Sequence, residues 1–384
     1  MRLAALFLFC LYLWPAKAGG QESESIADNF FVEVRSMAFI KNNEYFNPLG
    51  VSRFVISTGL PWPVDKSDWI EGYTLTGIFF QPELVYSPSD RISINGGIHL
   101  LKYSSENNFA QVRPVFSSSL KISENTTLRL GSTKGSDSHI MFDPHFNFER
   151  LYNDFVEDGF QLTTETDHVF NDAWLGWENY IFKAENEREV FTFGESFLYT
   201  SPLIRNQVEV VVPIQVQFKH FGGQISNYPE PVTTFFNMAT GIRINYDFDF
   251  AETGIEYIRF INSAFPSKPF FLLHNGNASW IRLHAKKGII SLSSSYWNAH
   301  DFFAPNGNAI YASVFDFTSN YIVHSRKLIT GSASLDYPAA DYLKLLLGID
   351  MYYDTDFERM DYAVTLHLDF SKLFELGKQT RGFR

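Results

Sequence analysis

Residues 73–104 read YTLTGIFFQPELVYSPSDRISINGGIHLLKYS, and on both sides of the central PSD apolar residues take nearly every second position. The apolar series is Ile78, Phe80, Leu84, Tyr86, Ile92, Ile94, Ile98 and Leu100, and the polar series is Gln81, Glu83, Arg91, Ser93, Asn95 and His99. Successive side chains of a β-strand point to opposite faces, so this alternation predicts two strands that are each apolar on one face and polar on the other. The PSD segment predicts the tight turn between them.

The same period of two recurs at 109–122, 207–220, 241–250 and 360–370. A tilted strand that crosses a bilayer needs roughly 9–11 residues, whereas strands of soluble proteins are usually nearer 5–6 residues, and several of these runs are of the longer kind. The sequence therefore predicts an all-β fold: a transmembrane antiparallel up-and-down β-barrel with lipid outside and polar side chains in the lumen. A secreted β-sandwich or a soluble barrel is the alternative.

Seventeen segments show the strand pattern. They are 30–41, 73–87, 91–104, 109–123, 126–133, 160–167, 171–182, 188–200, 207–220, 232–249, 253–263, 278–287, 289–297, 309–318, 326–336, 342–353 and 359–370. Bacterial single-chain barrels have an even number of strands, so one segment is missed, split or false. We expect about 16 strands, within a range of 14–18.

The first residues, MRLAALFLFCLYLWPAKA, have the layout of a secretory signal peptide: a basic start, an apolar run and small residues at the end. The apolar run is too short to span a bilayer as a helix. We therefore predict a cleaved signal peptide over 1–18, an N-terminal segment over 19–28, the barrel over 29–370 and a C-terminal tail over 371–384. Export and a barrel together predict a location in the outer membrane.

Charge and cysteine content exclude several functions. The chain has 31 Lys and Arg against 43 Asp and Glu, and its formal net charge of −12 argues against nucleic acid as a partner. Cys10, the single cysteine, lies in the predicted signal peptide, so the mature chain has no disulfide, thiolate metal site or cysteine nucleophile. We expect no cofactor and no metal.

Several stretches resemble a family of outer-membrane β-barrel proteins from Bacteroidota. They are FFQPELVYSPSD at 79–90, HIMFDPHFNFER at 139–150, DAWLGWENYIF at 172–182, FTFGESF at 191–197, PIQVQFKHFGGQIS at 213–226 and TTFFNMATGIR at 233–243. The resemblance spans most of the predicted mature chain and implies a barrel in the outer membrane. It implies no activity, so it assigns no catalytic residues.

Alternation also selects candidate lumen-facing residues. The basic group consists of Arg91, His99, Arg113, Lys121 and Arg129. The mixed group consists of Glu209, Gln215, Gln217, Lys219, Arg243, Asp247 and Asp249. Charged walls across a water-filled lumen would sort hydrated solutes, which predicts a porin-like passive channel for small polar solutes. The alternative is that these residues pair across a plugged lumen. Expected partners are outer-membrane lipid, the barrel-insertion machinery, the solutes and possible envelope proteins.

Other motifs leave further functions open. His274 near Ser279 and His324 beside Ser325 resemble fragments of a hydrolase site, but the sequence supplies neither with a convincing third member. We therefore predict that the chain is not an enzyme, and keep a docking barrel of the envelope and a membrane-embedded hydrolase as alternatives. Asp143 with His145, and Asp167 with His168, are more typical of a solvated loop rim than of a metal site.

Two further expectations concern the loops and the tryptophans. The long segment DPHFNFERLYND at 143–154 is predicted to fold inward and narrow the lumen. The tryptophans are interpreted mainly as anchors at the membrane interface, with the first two as candidates for stacking on sugars: Trp62, Trp69, Trp174, Trp177, Trp280 and Trp297.

Overall fold

A computed structural model describes residues 30–45, 73–205, 207–223, 227–229, 231–265, 273, 275–314 and 322–376. The predicted signal peptide and N-terminal segment lie outside the described residues, as do Trp62, Trp69 and His274.

Within these residues, sixteen antiparallel strands form one closed barrel, in which neighbours in sequence pair and β1 pairs with β16. The strands are β1 Phe30–Tyr45, β2 Tyr73–Ser89, β3 Ile92–Tyr103, β4 Gln111–Lys121, β5 Thr126–Ser132, β6 Asp158–Glu165, β7 Val169–Asn179, β8 Glu189–Thr200, β9 Val208–Gly222, β10 Thr233–Phe248, β11 Ala251–Phe265, β12 Asn275–Lys287, β13 Ile290–His300, β14 Ser325–Ala340, β15 Leu343–Asp354 and β16 Arg359–Leu376. The described helical elements are α1 (Arg150–Asn153) and two 3₁₀ turns, Ser136–His139 and Ala309–Tyr311. None of these helices has the length and apolar character that crossing a membrane requires.

The predicted all-β barrel of about 16 strands is confirmed, and the surplus strand is the candidate at 309–318. Its described part, 309–314, is a 3₁₀ turn and loop inside the lumen. Ile310 and Tyr311 are adjacent and both are buried among lumen aromatics, at 3% and 4% exposure, so this segment does not have the alternating exposure of a strand. At the C-terminus, β16 continues past the predicted boundary at Phe370, since β1 still pairs with it and Phe30 lies opposite Leu376.

The two ends of the barrel differ in the length of their connections. The turn end carries the start of β1, the end of β16 and short connections such as 90–91, 249–250 and 288–289. The loop end carries the longer connections, including 133–157 between β5 and β6 and 301–324 between β13 and β14.

The outer face of the barrel is apolar. In β2, the even-numbered Ile78, Phe80 and Leu84 point outward with 48%, 42% and 47% of their surface exposed, whereas the odd-numbered Gln81 and Glu83 are 5% and 4% exposed. This pattern continues around the barrel, so an apolar belt surrounds it. An exposed apolar surface of this extent is typical of a surface covered by lipid.

Residues 133–157 fold back into the lumen and form a plug, which confirms the predicted inward fold of the segment at 143–154. Tyr152 and Phe155 are 4% and 2% exposed. Their rings lie 4.9 Å from the ring of Phe39 and 5.0 Å from the ring of Phe79, so the plug packs on aromatic side chains of β1 and β2.

A second segment, 301–314, lies beside the plug. The backbone amide of Asn147 donates to the carbonyl of Asn306 at 2.7 Å, and the Asn308 side-chain amide donates to Asp143 at 2.8 Å. The largest hydrophobic cluster of the described residues forms between this segment, the plug and the wall. The core of the molecule therefore lies inside the barrel.

Candidate functional site

The structure places the predicted lumen-facing residues in two groups. Those inside the lumen are His99, Arg113, Arg129, Glu209, Gln215, Gln217, Lys219 and Arg243. Arg91 and Asp249 lie in turns, and Lys121 and Asp247 are exposed at the turn end of β4 and β10. Arg91, Lys121 and Asp249 are not inside the lumen because the strands end there and the side chains meet solvent at the rim, whereas Asp247 lines the cavity at the turn end of the lumen.

The lumen charges pair locally and do not form opposed basic and acidic walls. Arg113 lies 2.9 Å from Asp158, and Lys219 contacts Glu178 and donates to Asn306 at 2.8 Å. The expectation of an interior filled with water along its length is wrong for the loop half, because the plug and the segment 301–314 occupy that half and these charges pair around them.

A buried histidine joins the plug to the barrel wall. His139 contacts Asp172 through Nδ1 at 2.9 Å and Glu157 through Nε2 at 2.6 Å, and its ring stacks on Trp174 at 3.6 Å. Burial alone would lower the pKa of His139, but the two carboxylates overcome this effect and raise its pKa to about 9. The imidazole is therefore a cation at neutral pH. It is fully buried, so this cluster holds the plug and does not meet a substrate.

Asp143 and His145 are buried within the plug, so the interpretation of this pair as a solvated loop rim is wrong. Asp143 accepts hydrogen bonds from the Phe148 amide and from Asn308. Burial lowers the pKa of His145 to about 3, so this imidazole is neutral. His168 is exposed in the turn 166–168. In the described part of the chain, no three His, Cys, Asp or Glu side chains converge as metal ligands would.

Three tryptophans interpreted as interfacial anchors are inside the barrel. Trp174, Trp280 and Trp297 are 1%, 5% and 0% exposed and pack on the plug or on the segment 301–314. The interfacial interpretation is wrong for them, because a plugged lumen needs large rings to fill it. Trp177 points outward and is 40% exposed.

Among the described residues, the lumen contains at least two cavities. One of about 340 Å³ lies between the plug and the wall formed by β14–β16. The other, of about 580 Å³, is lined at the turn end by Glu209, Glu252, His284 and Lys286. Ser332 lines both cavities, so they lie next to each other in the lumen, with the turn-end cavity beyond the aromatic plug.

A polar patch interrupts the apolar exterior at the loop end of β11–β14. This outer patch consists of Arg259, Asn277, Ser279, Asn298, His300, Asp301, His324, Ser325 and Lys327. The same strands present Ile281, Tyr296 and Ile329 to the outside, with 45%, 40% and 47% exposure, on the side toward the turn end. The outer patch therefore borders the apolar belt directly.

Two histidines of the outer patch share one carboxylate. The Asp301 carboxylate lies 2.5 Å from Nδ1 of His324 and 3.5 Å from Nε2 of His300, and both rings are largely exposed. Ser325 lies opposite His300 in the β13–β14 ladder. A carboxylate on Nδ1 fixes the orientation of an imidazole and leaves Nε2 free to accept a proton, which is the arrangement of a general base.

A strained backbone positions Asp301. Its φ of 51° is left-handed, and its amide donates to the carbonyl of His324 at 3.0 Å, which brings the two ends of the β13–β14 loop together. A Cβ at Gly276 would lie 1.8 Å from the Asp301 carbonyl oxygen, so the neighbouring strand must have glycine there.

The sequence showed His324 beside Ser325 but not Asp301, the member that orients the imidazole. The signal was present as the pair His300–Asp301 at the end of an alternating run. The strand wrongly predicted at 309–318 would have separated β13 from β14, so the sequence did not place His300 and Asp301 near His324. His274, the other candidate histidine, lies outside the described residues.

Solved structures with the same architecture are outer-membrane proteins. OmpT of Vibrio cholerae lacking loop L8 shares 11% identity, with 89% of this chain and 100% of that chain covered and a TM-score of 0.53. OprD of Pseudomonas aeruginosa shares 10% identity, with 92% and 96% covered and a TM-score of 0.51. These likenesses show the fold alone. No curated protein matches the chain.

A family model described as lipid A 3'-O-deacylase-type matches residues 21–379. That description names an enzyme, so the expectation that the chain is not an enzyme is wrong. The resemblance to outer-membrane barrels holds at the level of the fold, while its assignment to Bacteroidota stays a prediction. The chain belongs to the lipid A 3'-O-deacylase-type family.

Proposed function

We propose that this protein is an outer-membrane hydrolase that removes an ester-linked acyl chain from a lipid of the lipid A class. The observation that carries this proposal is the imidazole of His324, which Asp301 orients on the outside of the barrel at the border of the apolar belt. Barrels of this kind turn their longer loops to the cell exterior, so the loop end would face the outer leaflet. Outer-membrane lipid and the barrel-insertion machinery are its proposed partners.

The chemistry that these residues support is general-base hydrolysis. Nε2 of His324 takes a proton from a water molecule as the water oxygen bonds to the ester carbonyl carbon. The bond between that carbon and the alcohol oxygen then breaks, and the proton on His324 passes to the departing oxygen. The products are a carboxylic acid and an alcohol. The Asp301 carboxylate stabilises the imidazolium formed between the two steps.

The surroundings of the outer patch suit an amphipathic substrate. Acyl chains can lie along the exposed Ile281, Tyr296 and Ile329, which are already at the lipid-facing surface. The ester would then reach the outer patch at the level where the apolar belt ends. The site needs no entry into the lumen, which is consistent with a plugged barrel.

We expect His324→Ala to reduce acyl release by at least about a hundredfold, because the attacking water loses its base. The measurement is free fatty acid released from acylated lipid A in mixed micelles by the purified protein, followed by mass spectrometry. The matched control is His168→Ala, which removes an exposed imidazole at the turn end and should leave the rate unchanged. No release by the wild type, or equal release by His324→Ala, would disprove the proposal.

A porin-like passive channel for small polar solutes has less support, because the plug and its aromatic contacts occupy the loop half of the lumen. We expect the wild type in planar bilayers to show no steps of the size typical of open porins. Replacing residues 134–156 by a short glycine-serine turn should produce measurable steps, since only the segment 301–314 would then occupy the loop half of the lumen. Large, stable steps from the wild type would contradict this expectation.

A further inference from the structure

An arginine stands on the lipid-facing side of the barrel. Arg259 lies on the outward face of β11, between Tyr257 and Ile261, which are 45% and 41% exposed. Arginine on the outer face of a barrel is costly toward the bilayer midplane and much less so near the interface. Arg259 belongs to the outer patch at the border of the apolar belt, where this cost is small and where lipid headgroups would meet the barrel.

The partners that Arg259 has in the described residues are neutral. Its Nη1 donates to the Ser279 hydroxyl at 2.7 Å, and its Nη2 donates to Oδ1 of Asn277 at 2.6 Å. By contrast, Arg243 and Arg282 inside the lumen each lie within 2.7 Å of a Glu256 oxygen. Within the described part of the chain, no carboxylate lies within ion-pair distance of Arg259, so its charge is left for a ligand.

The neighbours of Arg259 place this charge beside the candidate histidines. Asn277 lies opposite His300 in the β12–β13 ladder, and Ser279 lies opposite Asn298. The guanidinium therefore ends about one strand spacing, roughly 5 Å, from the row that carries His300. Asn277 keeps its side-chain NH₂ group free to donate, because it uses Oδ1 toward Arg259.

We propose that Arg259, Asn277 and Ser279 bind the phosphate group of a lipid headgroup. The planar guanidinium matches two phosphate oxygens, and the amide and hydroxyl can donate to the others. The apolar side chains around Arg259 would contact the tails of the same lipid, which favours a lipid phosphate over a free ion. This inference rests on the proposed function and extends it. The phosphate site would hold the lipid headgroup while the ester reaches His324.

The test compares lipid binding to the purified protein by native mass spectrometry. Phosphatidic acid and diacylglycerol with the same chains are titrated separately, so that the phosphate is the difference between them. We expect Arg259→Gln to weaken phosphatidic acid binding by about fivefold to tenfold and to leave diacylglycerol binding unchanged. The matched control is Lys102→Gln, which removes another outward cation at the loop end, on β3, and should not change the preference.

Three outcomes would overturn the inference: unchanged binding by Arg259→Gln, an equal loss with Lys102→Gln, or displacement of phosphatidic acid by inorganic phosphate at equal concentration. The last result would show a site for free anions. His324→Ala should keep the preference for phosphatidic acid. If the wild type showed this preference but released no fatty acid, the phosphate site would stand and the proposed hydrolysis would fail.

Discussion

Replacing Asp301 by asparagine is expected to lower the rate of ester hydrolysis by at least about a hundredfold, with little effect on substrate affinity. The new side chain would keep the size of the old one but lose the negative charge that stabilises the His324 imidazolium. Its NH₂ group could also face Nδ1 and select the wrong tautomer. Because the Asp301 carboxylate contacts the two histidines and is not placed on the lipid, kcat should fall while KM stays nearly constant.

The measurement is steady-state kinetics of acyl release in mixed micelles over a range of lipid mole fractions. Asp249→Asn provides the matched control, since it removes an exposed carboxylate in a turn at the opposite end of the barrel. Retention of the compact form on unheated gels would show that the variant is folded. If Asp301→Asn kept its kcat within about twofold of the wild type, Asp301 would not act through His324, and the site would have to lie elsewhere.

The barrel could be predicted because the alternation of apolar and polar residues is a local pattern that repeats in each strand. Each strand must alternate between lipid and lumen, so segments such as 73–87 and 207–220 carry the pattern within themselves. The same pattern misleads at 309–318, where Ile310 and Tyr311 are both buried inside the lumen and the described part of the segment is not a strand.

The candidate site could not be predicted because its residues come together only when strands β13 and β14 pair. His300 and Ser325 lie opposite each other because β13 and β14 are neighbours, and the false strand between them removed that relation. The left-handed backbone of Asp301 and the glycine that accommodates it are likewise invisible in a single sequence. The adjacent pair His324 and Ser325 was the part of the site that the sequence indicated.

His139 holds the plug against the barrel wall through its contacts with Glu157 and Asp172. We expect His139→Ala to lower the free energy of unfolding by about 3–5 kcal/mol, because it leaves the Glu157 and Asp172 carboxylates buried without their shared cation. The ring of Trp174 would also lose the surface on which it stacks. Denaturant unfolding of the purified protein, followed by tryptophan fluorescence, measures the change, and His168→Ala is the matched control.

The dependence of this loss on pH separates a charge effect from a packing effect. The pKa of His139 is about 9 in the folded protein and about 6.5 in the unfolded chain, so the stabilisation by its proton is complete below about pH 6.5 and is lost as pH rises to about 9. His139→Gln keeps a polar side chain but no proton to lose. The difference in unfolding free energy between the wild type and His139→Gln should therefore shrink steadily across that range. A difference that stayed constant from about pH 6 to about pH 9.5 would mean that the histidine holds the plug by shape alone.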